Sequence, residues 1–234
     1  MSSTASSRTF ASAFAALLVL PGCASVAPDN LLFKDDFRSL DNWHIEAEKP
    51  GRISAANGVL DVDVPAGVTL WFKHHLEGPL TIEFEATAVA EGGPNDQVSD
   101  LNMFWMANNV DGQQPVFAHA RSGKFEEYNA LLTYYVGLGG NRNTTTRFRR
   151  YIGDPVLRPL RPGYDLAGEP WMLVPNKPQT IRLTANGKII EYWRNGTRVF
   201  YMEDAAPYMS GWFALRTTYS HLRIRHLRIY RLTG

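Results

Sequence analysis

The chain has 234 residues, 44% of them hydrophobic and 12% aromatic, enough apolar material for a substantial core. Its formal net charge of +1 gives no global attraction to nucleic acid or to an anionic membrane surface, so any charge-based function must be local. The single cysteine, Cys23, excludes an intrachain disulfide framework and a thiolate metal cluster.

Residues 10–20, FASAFAALLVL, are apolar but too short to span a bilayer, and they run into LPGCAS. This Leu-x-Gly-Cys ending resembles the bacterial lipobox. It implies that residues 1–22 are a lipoprotein-type signal peptide, cleaved before Cys23, whose thiol then carries the lipid that anchors the protein to a membrane. The plainer alternative is ordinary secretion with Cys23 unused. Both readings place the protein in the bacterial cell envelope, either lipid-anchored or periplasmic or extracellular. Residues 23–30 follow as a polar tether, and residues 31–234 form the folded domain.

Within that domain nearly all periodicity is that of strands. Alternating runs at 58–64, 68–76, 80–89, 100–107, 131–138 and 144–152 are followed by others at 179–185, 188–195, 197–203, 211–218 and 221–232. Gly, Pro, Asn and Asp separate them. Ala-Asn-Gly at 185–187 and Arg-Asn-Gly at 194–196 predict tight hairpins, and GGNRN after Leu138 predicts another. The pattern is that of an all-β antiparallel sandwich with long loops at 91–98 and 158–175. In 221–232 the apolar phase slips by one residue between Ile224 and Leu227, predicting a bulge near Arg225 and His226.

Alternation also sorts the faces. Leu70, Phe72, Ile82, Phe84, Tyr134, Val136, Phe148, Phe213 and Leu215 point to the core. The opposite set combines Trp71, Tyr135, Tyr151 and Trp212 with Arg147, Arg149, Arg216, Lys73, His75, Glu83 and Glu85. Asp100 and Asn102 join this polar side, and Arg150, on the Phe148 side, reads as structural. Aromatic planes beside fork-shaped donors suit a sugar, whose C–H face stacks while its hydroxyls exchange hydrogen bonds. Arg147 and Arg149, about 7 Å apart by strand geometry, form a candidate clamp for a carboxylate. The plainer alternatives are that these arginines pair with cross-strand acids such as Glu83 and Glu85, and that Trp71 and Trp212 lie under a loop. Gly137 reads as turn chemistry or as a gap that admits a ligand.

SDLNMFWMA (99–107), YYVGLGGNRNTTTRFRRY (134–151) and GWFALRTTYSH (211–221), following KDDF (34–37), resemble the YesU-like families of concanavalin-A-like jelly rolls. That resemblance implies two antiparallel sheets and an association with degradation of pectin or other uronate polysaccharides, with a polysaccharide or oligosaccharide as partner. It transfers no catalytic assignment. The leading functional expectation is a polysaccharide lyase. In it Arg147, Arg149 or Arg216 neutralises the uronate carboxylate and Tyr135 or His221 removes the C5 proton, with Asn102, Trp71, Trp212 and Tyr151 as further substrate contacts. His221, next to Ser220, reads equally well as a packing histidine with its hydrogen bonds satisfied. The alternatives are a non-catalytic carbohydrate-binding lipoprotein and a glycoside hydrolase. The hydrolase needs two carboxylates; Glu83 and Glu85 stand side by side on one strand face, and Asp96 and Asp100 are possible partners. No cofactor is expected. A structural calcium ion is common in concanavalin-A-like sandwiches, and Asp35 and Asp36 are its candidate ligands, although an Asx turn explains that pair equally well.

Overall fold

The computed structural model describes residues 30–233. Its strands are β1 (Leu31–Asp35), β2 (Trp43–Ala47), β3 (Arg52–Ala56), β4 (Val59–Phe72), β5 (Leu76–Glu77), β6 (Leu80–Ala88) and β7 (Leu101–Asn109). They continue with β8 (Leu131–Gly139), β9 (Thr145–Ile152), β10 (Asp165–Leu166), β11 (Gln179–Asn186), β12 (Ile189–Arg194), β13 (Thr197–Glu203) and β14 (Ser210–Arg231). All ladders between these strands are antiparallel.

Two long strands run through both layers of the sandwich. The first half of β14 lies between β7 and the second half of β4, giving a front sheet ordered β10-β9-β8-β7-β14-β4-β2. Its second half lies between the first half of β4 and β6, giving a back sheet ordered β3-β4-β14-β6-β11-β12-β13, with β1 on the end of β14. Runs expected as separate strands at 58–64 and 68–76, and again at 211–218 and 221–232, are therefore mostly single strands that bend. The register of β14 shifts between Thr218 and Ser220, where Tyr219 has φ +46°. The predicted bulge is present: register shifts between Arg225 and Arg228, and His226 sits at φ +57°. The short strands β1 to β3 were not anticipated, because five-residue runs such as WHIEA and RISAA carry too few alternations to register.

Between the sheets lies a continuous core including Leu70, Ile82, Phe84, Trp105, Phe148 and Phe213, each under 2% exposed. Burying side chains of this size contributes about 1.5–3 kcal/mol each. A second apolar cluster covers the outer face of the front sheet, where Trp71, Phe104, Tyr151 and Trp212 pack with Val116 and Tyr128 of the segment 110–130. That segment is stapled from within: Arg121 donates to Asn109 Oδ1 at 2.8 Å and to the Val116 carbonyl at 2.9 Å. It is tied to the sheet by the Tyr128 hydroxyl, which donates to Glu46 Oε2 at 2.7 Å.

Candidate functional site

The face assignment of the front sheet can be followed strand by strand. One row reads Glu46, Thr69, Arg216, Asn102, Gly137, Arg147, Asp165 across β2, β4, β14, β7, β8, β9 and β10, all in register. The next row on the same face reads His44, Trp71, Ala214, Phe104, Tyr135, Arg149. The segment 110–130 covers the β2 to β7 end of both rows. Around Gly137 of β8 and Arg147 and Arg149 of β9 the face stays open as a cleft of about 290 Å³.

Three guanidinium groups line this cleft, those of Arg147, Arg149 and Arg158. Arg147 donates to Asp165 at 2.8 Å, so the acids anticipated for it, Glu83 and Glu85, are not its partners; they lie on the back sheet, where Glu83 pairs with Arg182 at 2.6 Å. Arg149 donates to the backbone carbonyl of Arg158. The Arg158 guanidinium lies 5.5 Å from the Phe125 ring centroid. Among the described residues neither Arg149 nor Arg158 has a carboxylate within ion-pair distance. Burial, with the like charges of Arg158 and Arg147 adding to it, lowers the Arg149 pKa from its ordinary value.

Gly137 forms the floor. A Cβ there would stand 2.5 Å from the Tyr135 hydroxyl and 3.0 Å from Asn102 Oδ1, so the gap depends on glycine. The Tyr135 hydroxyl donates to Asn102 Oδ1 at 3.1 Å, and burial pushes its pKa well above the ordinary phenol value. Asp100 and Glu126 supply carboxyls to the same cleft. Burial raises the Asp100 pKa, opposed by hydrogen bonds from Ser99 and Asn102 and by the charge of Arg216.

The other predicted site residues fall elsewhere. Arg216 is 2% exposed; its Nη1 donates to Thr69 Oγ1 at 2.8 Å and to the Gly123 carbonyl at 2.7 Å, and its guanidinium lies 5.1 Å from the rings of both Phe125 and Tyr128. Trp71 donates to Glu46 at 3.0 Å and, with Tyr151 and Trp212, is buried beneath 110–130. The loop-covered alternative therefore describes both tryptophans. His221 lies outside the cleft, with Nδ1 2.9 Å from Asp96 and Nε2 3.2 Å from Asp61. Both ring nitrogens are engaged by carboxylates, which leaves neither to act on a ligand of Arg147 and Arg149, and commits Asp96 to the same pair. Asp35 accepts hydrogen bonds from the Phe37 amide and the Trp43 indole, and Asp36 pairs with Arg228 at 2.7 Å, an Asx-type arrangement. Among the described residues no group of three His, Cys, Asp or Glu is placed to hold a metal ion. Cys23 and the signal segment lie outside the described residues. Arg158, in a loop, and Phe125 and Glu126, in the single 3-10 turn Phe125–Tyr128, went unanticipated because neither segment has a periodicity to expose them.

The family model described as "Domain of unknown function (DUF6250)" matches residues 62–227. No curated protein matches the sequence. Among solved structures, a Bacillus subtilis protein of unknown function with a galectin-like fold superposes with TM-score 0.67 at 13% identity, covering 86% of this chain and 96% of its own. The carbohydrate-binding module CBM66 from Bacillus subtilis gives TM-score 0.55 at 10% identity, covering 81% and 95%. LamAcat from Zobellia galactanivorans gives 0.57 at 13%, covering 87% and 98%. At these identities the likeness establishes a jelly-roll sandwich and nothing finer.

Proposed function

The chain belongs to the DUF6250 family, and we propose that its arginine-lined cleft binds an acidic saccharide, a uronate-containing glycan. The observation that carries this reading is the pair Arg149 and Arg158, which line one cleft without carboxylate partners among the described residues, together with the rings of Phe125 and Tyr135. Fixed guanidinium forks favour carboxylates held bidentately, and aromatic rings favour the C–H face of a sugar. Relatives in fold are compatible with a sugar ligand: one is a carbohydrate-binding module and another was solved with laminaritriose and laminaritetraose. Export through residues 1–22 and a lipid anchor at Cys23 belong to the same proposal and would hold the cleft in the cell envelope.

Lyase action is the second reading, favoured by the Tyr135 phenol inside the cleft with Arg149 and Arg216 near enough to oppose the effect of burial on its pKa. In β-elimination the arginines would neutralise the uronate carboxylate, a base would take the C5 proton, and an acid would protonate the departing oxygen. A phenol held protonated by burial suits the last role better than the second. The group that would take the C5 proton is therefore not supplied by Tyr135 and His221 as they stand, and binding is the reading supported best. A hydrolase would rest on Asp100 with Glu126 instead of Asp96.

Affinity electrophoresis in gels cast with polygalacturonate, alginate or glucuronan tests the proposal, with parallel incubations followed for unsaturated-uronate absorbance and for new reducing ends. Retardation without products is the expected result. Unsaturated products would make the protein a lyase, and reducing ends alone a hydrolase. Free migration in every acidic polymer, with no products, would overturn the reading.

A further inference from the structure

A second cleft, of about 450 Å³, lies on the other side of the loop that supplies Arg158. Strand β9 alternates between the two: Arg147 and Arg149 face the first cleft, whereas Arg150 and Ile152 line the second. The loop does the same. In LRPLRPGY (157–164), Arg158 enters the first cleft, and Pro159, Arg161 and Tyr164 line the second. Arg161 follows Arg158 by three positions, so their Cα atoms stand at most about 11 Å apart. The two clefts thus flank one narrow ridge.

Their chemistries differ. In the second cleft the Arg150 guanidinium is taken up by Asp204 at 2.7 Å and by the Ala206 carbonyl at 2.8 Å, and it lies over the Tyr208 ring at 4.2 Å. The Tyr134 hydroxyl donates to the same Asp204 oxygen at 2.7 Å, so that acid is spent within the protein. Arg161 is exposed, and among the described residues its side chain makes neither an ion pair nor a hydrogen bond. Glu203, also exposed, offsets its charge at the rim. The remaining lining includes the apolar surfaces of Ile152, Pro159 and Met202. A charge-balanced cleft with an apolar base and one free fork of donors is suited to a sugar ring without demanding that the ring be acidic.

We propose that the second cleft is a subsite for a residue farther along the same glycan chain, beyond the first two units, where the chain crosses the Arg158–Arg161 ridge, so that the ligand is an oligosaccharide of at least three units and not a single acidic sugar. This rests on the reading of the first cleft as the acidic-saccharide site. Arg161 is the specificity residue: its removal touches no internal contact and leaves the first cleft intact.

The test is isothermal titration of the whole chain, wild type and Arg161→Ala, with galacturonate, mannuronate and glucuronate oligomers of two, four and six units. Wild type should bind the four- and six-unit oligomers of the preferred series at least tenfold more tightly than the two-unit oligomer, and R161A should reduce that gain to threefold or less while leaving two-unit binding unchanged. Equal affinity for all lengths in wild type, or a full length gain retained in R161A, would overturn the second subsite and leave the first cleft standing. Absence of binding by every oligomer would overturn the reading of the first cleft, and the subsite with it.

Discussion

The Arg149 guanidinium donates to the backbone carbonyl of Arg158, so an arginine of the sheet fixes the loop that carries the other free arginine of the cleft. The two guanidinium groups are like charges brought together by the fold, an arrangement that gains from an anion between them. It also separates two roles that substitution can tell apart.

Arg158→Ala removes a charge without removing the carbonyl that Arg149 holds. Binding of an acidic oligosaccharide should fall roughly 10- to 100-fold, the equivalent of one charge-assisted hydrogen bond, with the melting temperature unchanged. Arg149→Ala should cost as much binding and in addition lower the melting temperature, because the loop loses its tie. Equal melting losses in both variants would show that Arg158 is structural.

Gly137→Ala fills the floor. The added methyl meets the Tyr135 hydroxyl and Asn102 Oδ1 at 2.5 and 3.0 Å, and the overpacking should cost about 1–3 kcal/mol of stability. Saccharide affinity should fall at least tenfold. Crystals of the variant that still bind ligand with Tyr135 unmoved would contradict the gap as an entry for the sugar.

Asp100→Asn isolates the effect of burial on a carboxyl. Asp100 has a folded pKa raised above the 3.8 of an ordinary aspartate, so it binds its proton more tightly in the folded chain. Its contribution to stability is present below that ordinary value and is lost as pH rises through the folded one. The variant should therefore gain on wild type as pH is raised from about 4 to about 7. Asparagine also tolerates the backbone here, where φ is +58°. Thermal melts of both proteins across that range check it, and curves that run parallel would remove Asp100 from the account.

His221→Gln addresses the residue expected to act as a base. With His221 hydrogen-bonded between Asp96 and Asp61, the variant should lose about 2 kcal/mol, on the order of two hydrogen bonds to carboxylates in a mostly buried place, or roughly 4–8 °C in melting temperature for a domain of this size. Binding at the arginine cleft should not change. Loss of polymer cleavage at unchanged stability would restore the catalytic role.

Period-two alternation made much of the sandwich readable in advance. Tyr134, Val136 and Phe148 went inward and Tyr135, Arg147 and Arg149 outward because successive side chains on a strand must oppose each other. The slip between Ile224 and Leu227 located a bulge for the same reason. What alternation does not reveal is which part of an outward face stays open. Trp71, Tyr151, Trp212 and Arg216 share that face with Arg149, yet they are covered.

From its order of residues alone this chain specifies strands, faces, turns and a pair of outward arginines, since each depends on spacing within a few positions. The cover over half of the front face depends on contacts remote in the chain, such as Tyr128 to Glu46, 82 positions apart, and Arg216 to Gly123, 93 apart. Only tertiary structure brings those partners together. By covering the β2 to β7 end and leaving open the part of β8 and β9 around Gly137, Arg147 and Arg149, it turns a broad aromatic face into a small cleft of arginines.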